Sequence, residues 1–238
     1  EVEITPRTDY IILGKKECII FMSARPKGKF AKDRLFCIKT TDGGKTFQFH
    51  GWVVKPFHAD EVASAVKVPL YDDESLNPWS TQCRAVMSES FLLSDGKMLT
   101  VMRRKYSGKG VKSRNWVDAY ASTDGGKTWT FQSQVGDAGS GNGNPPALAL
   151  MQDGRLCAVY GERDEGTIQI AYSSDEGRTW SEPQILYDAF WSEDMELNDL
   201  GYPRVITRSD GKMVAIFYYS TKERQGQIHA TIWDPKTN

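Results

Sequence analysis

One eight-residue phrase, written three times, limits what this chain can fold into more than any other feature. It reads TTDGGKTF at residues 40–47, STDGGKTW at 122–129 and SSDEGRTW at 173–180. Each copy follows a run of apolar β-formers and precedes another, so each predicts a hairpin turn. Asp-Gly and Gly-Gly supply the positive φ angles that a tight turn demands. The first Asp can accept hydrogen bonds from backbone N–H groups two or three residues on. The closing Trp or Phe is expected to pack back under the hairpin. A second marker, Asp-Gly followed by a strand, stands at SDGKMLTVM (94–102), QDGRLCAVY (152–160) and SDGKMVAIF (209–217). Its residues Asp95, Asp153 and Asp210 recur every 57 or 58 residues. LGKKE (13–17) is a degenerate first copy.

The markers interleave, so each period reads strand, Asp-Gly hairpin, strand, loop, strand, Asp-Gly-Gly hairpin, strand. Four antiparallel strands repeated at such a period make a propeller blade; a β-sandwich with similar turns is the alternative. The expectation is an all-β chain, one propeller domain over 1–238 or its C-terminal portion, with blades near 9–54, 85–135, 145–187 and 200–233. Short runs rich in Val, Ile, Leu, Tyr and Trp between Gly, Asp, Asn and Pro clusters agree with this. Only ADEVASAV (59–66) has a brief helical pattern. With 238 residues the chain can bury a sizeable core. A net charge of −1 gives no global field toward nucleic acid or acidic lipid. No apolar run approaches the roughly 20 residues needed to span a bilayer. The sequence opens at Glu1 with neither an initiator Met nor a signal peptide, as a processed or trimmed chain would. Cys18, Cys37, Cys83 and Cys157 lack CxxC spacing and read as buried free thiols, with a Cys18–Cys37 bridge as the alternative; the redox compartment stays open.

The phrase S/T-x-D-x-G-x-T-W resembles the Asp-box, or BNR repeat, of sialidases and their relatives, which are six-bladed propellers. The resemblance covers nearly the whole chain except about 50–83. It implies that the phrase lies on the outer rim, away from any active site, and staples the fold without catalysing anything. With four blades visible, the chain resembles the C-terminal two thirds of a larger propeller. EVEIT (1–5) is then the tail of a preceding blade or the strand that completes the last one.

Propeller active sites form at one end of the axial channel, from the innermost strands and adjoining loops. The innermost strand of each blade is the one before the Asp-Gly hairpin. Sialidases carry a nucleophilic Tyr eight residues before that hairpin in their last blade, and here this residue is Tyr202. A phenol suits an acidic sugar, because it is neutral until deprotonated and does not repel the sugar carboxylate. A phenol needs a base; Glu89 is the candidate, although it lies six residues before Asp95 where the family's Glu lies about eight before. The resemblance further implies a clamp of Arg side chains, since guanidinium forks match carboxylates. Arg103, eight residues after Asp95, and Arg163 in the next blade are candidates. Arg204 joins them if the strand after Tyr202 is regular. Asp199 is the candidate general acid, with Asp118 as a weaker option.

Other signals point elsewhere. RRKYSGKGVKSR (103–114) reads as a solvated loop or a rim for anionic glycans rather than a nucleic-acid site. WSEDMELND (191–199) reads as a solvent-facing acidic loop. GSGNGNPP (139–146) runs into Pro-Pro and a strand, so it is no phosphate cradle. His50, His58 and His229 lack metal-ligand spacing, and no cofactor motif is recognisable. NPWS (77–80) and Trp116 are aromatic candidates for stacking on sugar rings. The reading is an exo-acting glycoside hydrolase that cleaves a terminal acidic sugar and uses no cofactor. It is expected as a monomer, secreted or periplasmic, with a glycan partner and no nucleic acid. A non-catalytic glycan- or protein-binding propeller is the alternative.

Overall fold

The computed structural model describes residues 2–26, 32–55, 83–106, 112–141, 143–188, 199–220 and 226–235. They form four antiparallel sheets in chain order. The first holds β1 (Val2–Gly14), β2 (Glu17–Pro26), β3 (Arg34–Thr40) and β4 (Gln48–Trp52). The second holds β5 (Cys83–Leu92), β6 (Met98–Tyr106), β7 (Arg114–Ser122) and β8 (Thr130–Asp137). The third holds β9 (Ala147–Leu150), β10 (Leu156–Glu162), β11 (Thr167–Ser173) and β12 (Gln184–Tyr187). The fourth is three-stranded, with β13 (Leu200–Thr207), β14 (Met213–Tyr219) and β15 (Gln227–Trp233). Within every sheet the strands pair in sequence order. The first strands of successive sheets, β1, β5, β9 and β13, lie beside one another, as the inner strands of propeller blades do. The fold is a β-propeller of which four blades are seen.

Val2–Thr5 corrects one expectation. It pairs with Ser23–Pro26 inside the first blade and belongs to β1 itself. It neither completes the last blade nor trails from a preceding one. ADEVASAV, NPWS and His58 lie outside the described residues, as does most of WSEDMELND. All four cysteines are free, so Cys18 and Cys37 are not bridged. Trp116 is 1% exposed and packs in the core rather than offering a face to sugar.

Three apolar layers hold the blades together. Ile19, Phe21, Met98 and Tyr120 are in the layer joining the first and second sheets. Leu99, Val117, Leu156 and Tyr160 belong to that between the second and third. Val159, Ile170, Val205 and Phe217 belong to that between the third and fourth. Burying each such aliphatic or aromatic side chain stabilises the stack by about 1.5–3 kcal/mol relative to leaving it in water. Among the described residues, nothing covers one apolar face of the first sheet and one of the fourth. Ile206, Ile216, Ile228 and Ile232 of the fourth sheet are exposed, as are Val2, Ile4, Tyr10 and Ile12 of the first.

The three Asp-boxes share one hydrogen-bond pattern. Oδ1 of Asp42, Asp124 and Asp175 accepts the backbone N–H groups three and four residues on, at 2.9–3.1 Å. Oδ2 accepts the Thr hydroxyl of Thr46, Thr128 or Thr179 at 2.6–2.7 Å. The turn is closed one residue further along than the sequence reading placed it. Two of the boxes also bridge blades. Trp129 packs edge-on against Phe21 of the preceding blade at 5.6 Å, and the Trp180 indole N–H donates to Ser133 Oγ of its preceding blade at 3.1 Å. Phe47, in the first box, is 45% exposed, which departs from the expected packing.

Candidate active site

The inner strands of the second and fourth blades are bent at matching places. Met87 and Tyr202 each lie eight residues before the Asp of the Asp-Gly hairpin, Asp95 or Asp210. Both adopt left-handed backbone angles, φ 57° and φ 48°. Each sits at a register shift in its strand, between Val86 and Ser88 or between Gly201 and Arg204. A bulge of this kind re-aims side chains. A non-glycine residue held there costs about 1–3 kcal/mol, a strain concentrated at functional sites. Gly201 makes the second bend feasible: its φ is 129°, and a Cβ there would lie 2.2 Å from the buried Asn144 side chain.

The two bends face a cleft of about 370 Å³. Its wall includes Asp33, Arg84, Arg103, Arg163, Tyr202 and Tyr218, together with Met87. Three guanidinium groups thus stand against one carboxylate. Arg103 is almost fully buried; its Nη2 donates to Asn115 Oδ1 at 3.4 Å, and Nη1 meets Met87 Sδ at 3.7 Å. Arg163 donates from Nε to the Leu200 carbonyl at 3.1 Å and from Nη2 to the Tyr218 hydroxyl at 3.1 Å. Arg84 holds Asp33 through Nε at 2.8 Å and Nη2 at 2.5 Å, and the Thr5 hydroxyl donates to the other Asp33 oxygen at 3.3 Å. The Tyr202 and Tyr218 rings lie 5.7 Å apart.

The structure brings Tyr202, Arg103 and Arg163 to one cleft and sets Asp199 at its edge. Asp199 accepts Tyr218 Oη–H at 2.6 Å, the Ser220 hydroxyl at 3.3 Å and Arg163 Nη2 at 3.3 Å. Burial, reinforced by that bond to Asp199, pushes the Tyr218 phenol up to about 12, so it stays protonated as a donor. Glu89 and Arg204 are not among the cleft-lining residues. They pair with one another at 2.7 Å, linking the inner strands of the second and fourth blades. Burial, and then the neighbouring Asp9, push the Glu89 carboxyl up to about 7 against the pull of Arg204. A group titrating there can give or take a proton near neutral pH. The bulge answers the question of regularity in this strand: Tyr202 and Arg204 are not related by simple alternation. Asp118 is fully buried, 3.8 Å from Arg104, and belongs to the interior rather than the cleft.

Asp33, Arg84, Met87 and Tyr218 of this wall escaped the sequence reading, and the first two left a trace in the sequence. Asp33 stands in the charged triplet KDR directly before an apolar strand, and Arg84 interrupts the apolar opening of β5 in CRAV. A charge lodged at the edge of a buried strand was the available signal, because it needs a partner.

A family model described as "BNR repeat-like domain" matches residues 31–216. The chain belongs to this family. No curated protein matches it in sequence. Among solved structures, a Penicillium chrysogenum α-L-arabinanase complexed with arabinobiose superposes with a TM-score of 0.66 at 18% identity, covering 98% of this chain and 64% of that one. A Fusarium graminearum α-L-arabinofuranosidase bound to an iminosugar inhibitor gives 0.65 at 17%, covering 96% and 62%. A Hadza microbial sialidase gives 0.52 at 14%, covering 90% and 40%. At such identities the likeness is one of fold. This BNR propeller spans about two fifths to two thirds of the length of those structures.

Proposed function

We propose that the protein is a retaining exo-glycoside hydrolase acting on a terminal acidic sugar of the sialic-acid type. The observation that carries the reading is Tyr202, held in a strained left-handed bend and facing a cleft walled by Arg84, Arg103 and Arg163. Guanidinium groups in a confined site hold a carboxylate bidentately. That fixes the sugar ring while the phenol oxygen attacks the anomeric carbon.

In the first displacement Tyr202 yields its proton by way of water to Glu89, which lies outside the cleft wall, and its oxygen bonds to the anomeric carbon as the bond to the leaving oxygen breaks. That oxygen takes a proton from a water molecule, while Asp33 stays ionised and holds Arg84 in place. In the second, a water oxygen displaces Tyr202, its surplus proton returns to the hydroxide left by the first, and the phenolate recovers its proton from Glu89. Two displacements at one carbon retain configuration. Asp199 acts as a positioning residue through Arg163 and Tyr218.

Tyr202→Phe is expected to abolish turnover of an aryl glycoside of N-acetylneuraminic acid while leaving the affinity for a sialic-acid transition-state analogue unchanged. Full activity in that variant would sink the reading. Because Glu89 must be ionised to accept the proton, kcat/KM should fall as pH drops below about 7, and Glu89→Gln should remove this limb. A neutral arabino-oligosaccharide substrate is the second reading, favoured by the likeness to the arabinanase and arabinofuranosidase structures. Cleavage of arabinobiose with no action on the acidic glycoside would select it. Binding of glycan without cleavage of either would select a non-catalytic propeller.

A further inference from the structure

Beside the cleft, between the second and third blades, lies a larger groove of about 510 Å³. Lys112, Arg114 and Asp137 stand on its second-blade side, and Glu162, Asp164 and Glu165 on its third-blade side. Cleft and groove share their partition. Gly139 and Ser140 line the groove, and Gly143, a few residues on, lines the cleft. Asn115 ties this partition down: its side-chain amide donates to the carbonyls of Gly139 and Gly141 at 3.2 and 3.3 Å, while Arg103 of the cleft donates to its oxygen. The turn after β10 divides in the same way. Arg163 lines the cleft, and its neighbours Glu162 and Asp164 line the groove.

The two depressions carry opposite charge. The groove sets four carboxylates against two cations, and both cations are engaged, Lys112 with Asp164 at 3.5 Å and Arg114 with Asp137 at 2.7 Å. Asp164 also accepts the Ser140 N–H and hydroxyl at 2.9 Å each, which fixes it across the groove. Carboxylates, a hydroxyl and the Gln169 amide are hydrogen-bonding partners for sugar hydroxyls, and the volume is that of a small-molecule site. A second acidic sugar would meet like charge there.

We infer that the groove is a leaving-group subsite that takes neutral sugar units attached behind the acidic terminal residue. This rests on reading the cleft as a glycosidase site. The acidic sugar enters the guanidinium-walled cleft, the glycosidic oxygen lies over the shared partition, and the neutral portion hydrogen-bonds to the groove. The preferred substrate carries one terminal acid on an uncharged chain, and a chain of consecutive acidic sugars is disfavoured.

The test compares three substrates: an aryl glycoside of N-acetylneuraminic acid, which does not reach the groove, sialyllactose, and an α2,8-linked disialic acid. Asp164→Ala should lower kcat/KM for sialyllactose about tenfold, the scale of losing one or two hydrogen bonds, and leave the aryl glycoside within about twofold. Glu165→Lys, a reversal on the exposed rim, should narrow the preference for sialyllactose over disialic acid. Equal effects on all three substrates, or no change in preference with Glu165→Lys, would overturn the inference. Titration of lactose alone into the intact protein tests the groove apart from the chemistry. Millimolar binding weakened by Asp164→Ala supports the subsite even if no glycoside is cleaved, and the absence of such binding refutes it.

Discussion

The second and third blades differ from the first and fourth in a way that separates what a blade is from what stacking makes of it. Strands β10 and β11 of the third blade are buried at every residue, whereas β15 of the fourth alternates between exposed and half-buried. Strands β11 and β15 each carry two Ile, one Ala and one large aromatic residue, so composition does not cause the difference. Position does: among the described residues, the second and third blades are flanked by a blade on each side and the first and fourth on one side. The Asp-boxes repeat the lesson. The loop chemistry of Asp42 equals that of Asp124 and Asp175 to about a tenth of an ångström. Only the later two press an aromatic residue on a preceding blade.

The sharpest way to break this comparison is to truncate the same box position twice. Trp129→Ala should cost about 3–5 kcal/mol, the range for a large buried aromatic, and Phe47→Ala should stay within about 0.5 kcal/mol. Chemical denaturation measures both; equal losses would mean that the first box is also covered in solution. A smaller contrast is expected between faces. Ile170→Ala, in a sheet buried on both sides, should cost about 2–5 kcal/mol, whereas Ile228→Ala, on the open face, should stay within about 0.5 kcal/mol. A large loss at Ile228 would show that another surface lies against it.

The smallest effect concerns acid. Hydrogen bonds from the Thr46 N–H and hydroxyl hold Asp42 at about 2, below the usual 3.8. Asp124 and Asp175 reach about 2 as well, where partial burial opposes and the Thr and Ser hydroxyls and backbone N–H groups prevail. A depressed carboxylate adds stability that is full above the unfolded value and is lost as pH falls through the folded one. The three boxes should therefore lose their contribution between about pH 4 and pH 2. Asp→Asn at a box should flatten that part of the stability profile, and it should do so equally in the first and the later boxes, because this term is local and indifferent to stacking.

The architecture was legible because a turn motif is local. Asp, Gly and Thr close a hairpin through their own backbone neighbours, so three copies in frame announced the blades before any packing was known. The cleft was legible only in part. Tyr202 and Arg103 could be found by their count of eight from an Asp-Gly turn, and Arg163, ten residues after Asp153, by its place in the next blade. Asp33 and Arg84 announce themselves only as charges at strand edges, since what joins them is an ion pair between residues 51 positions apart. Glu89 and Arg204 show the opposite limit. A bulge of one residue shifts which side chains face the cleft, and register shifts leave little trace in composition. The left-handed angle at Met87, a residue with no intrinsic preference for it, is equally invisible in the chain.

Met87 and Tyr202 occupy equivalent steps of a repeating frame, one apolar and the other carrying a phenol. Because the frame fixes where such a residue projects, an exchange at that step in one blade alters the lining of the pocket while the neighbouring blades keep their form. Each inner strand thus offers its own mounting point for chemistry at the axis, open to change without disturbing the others.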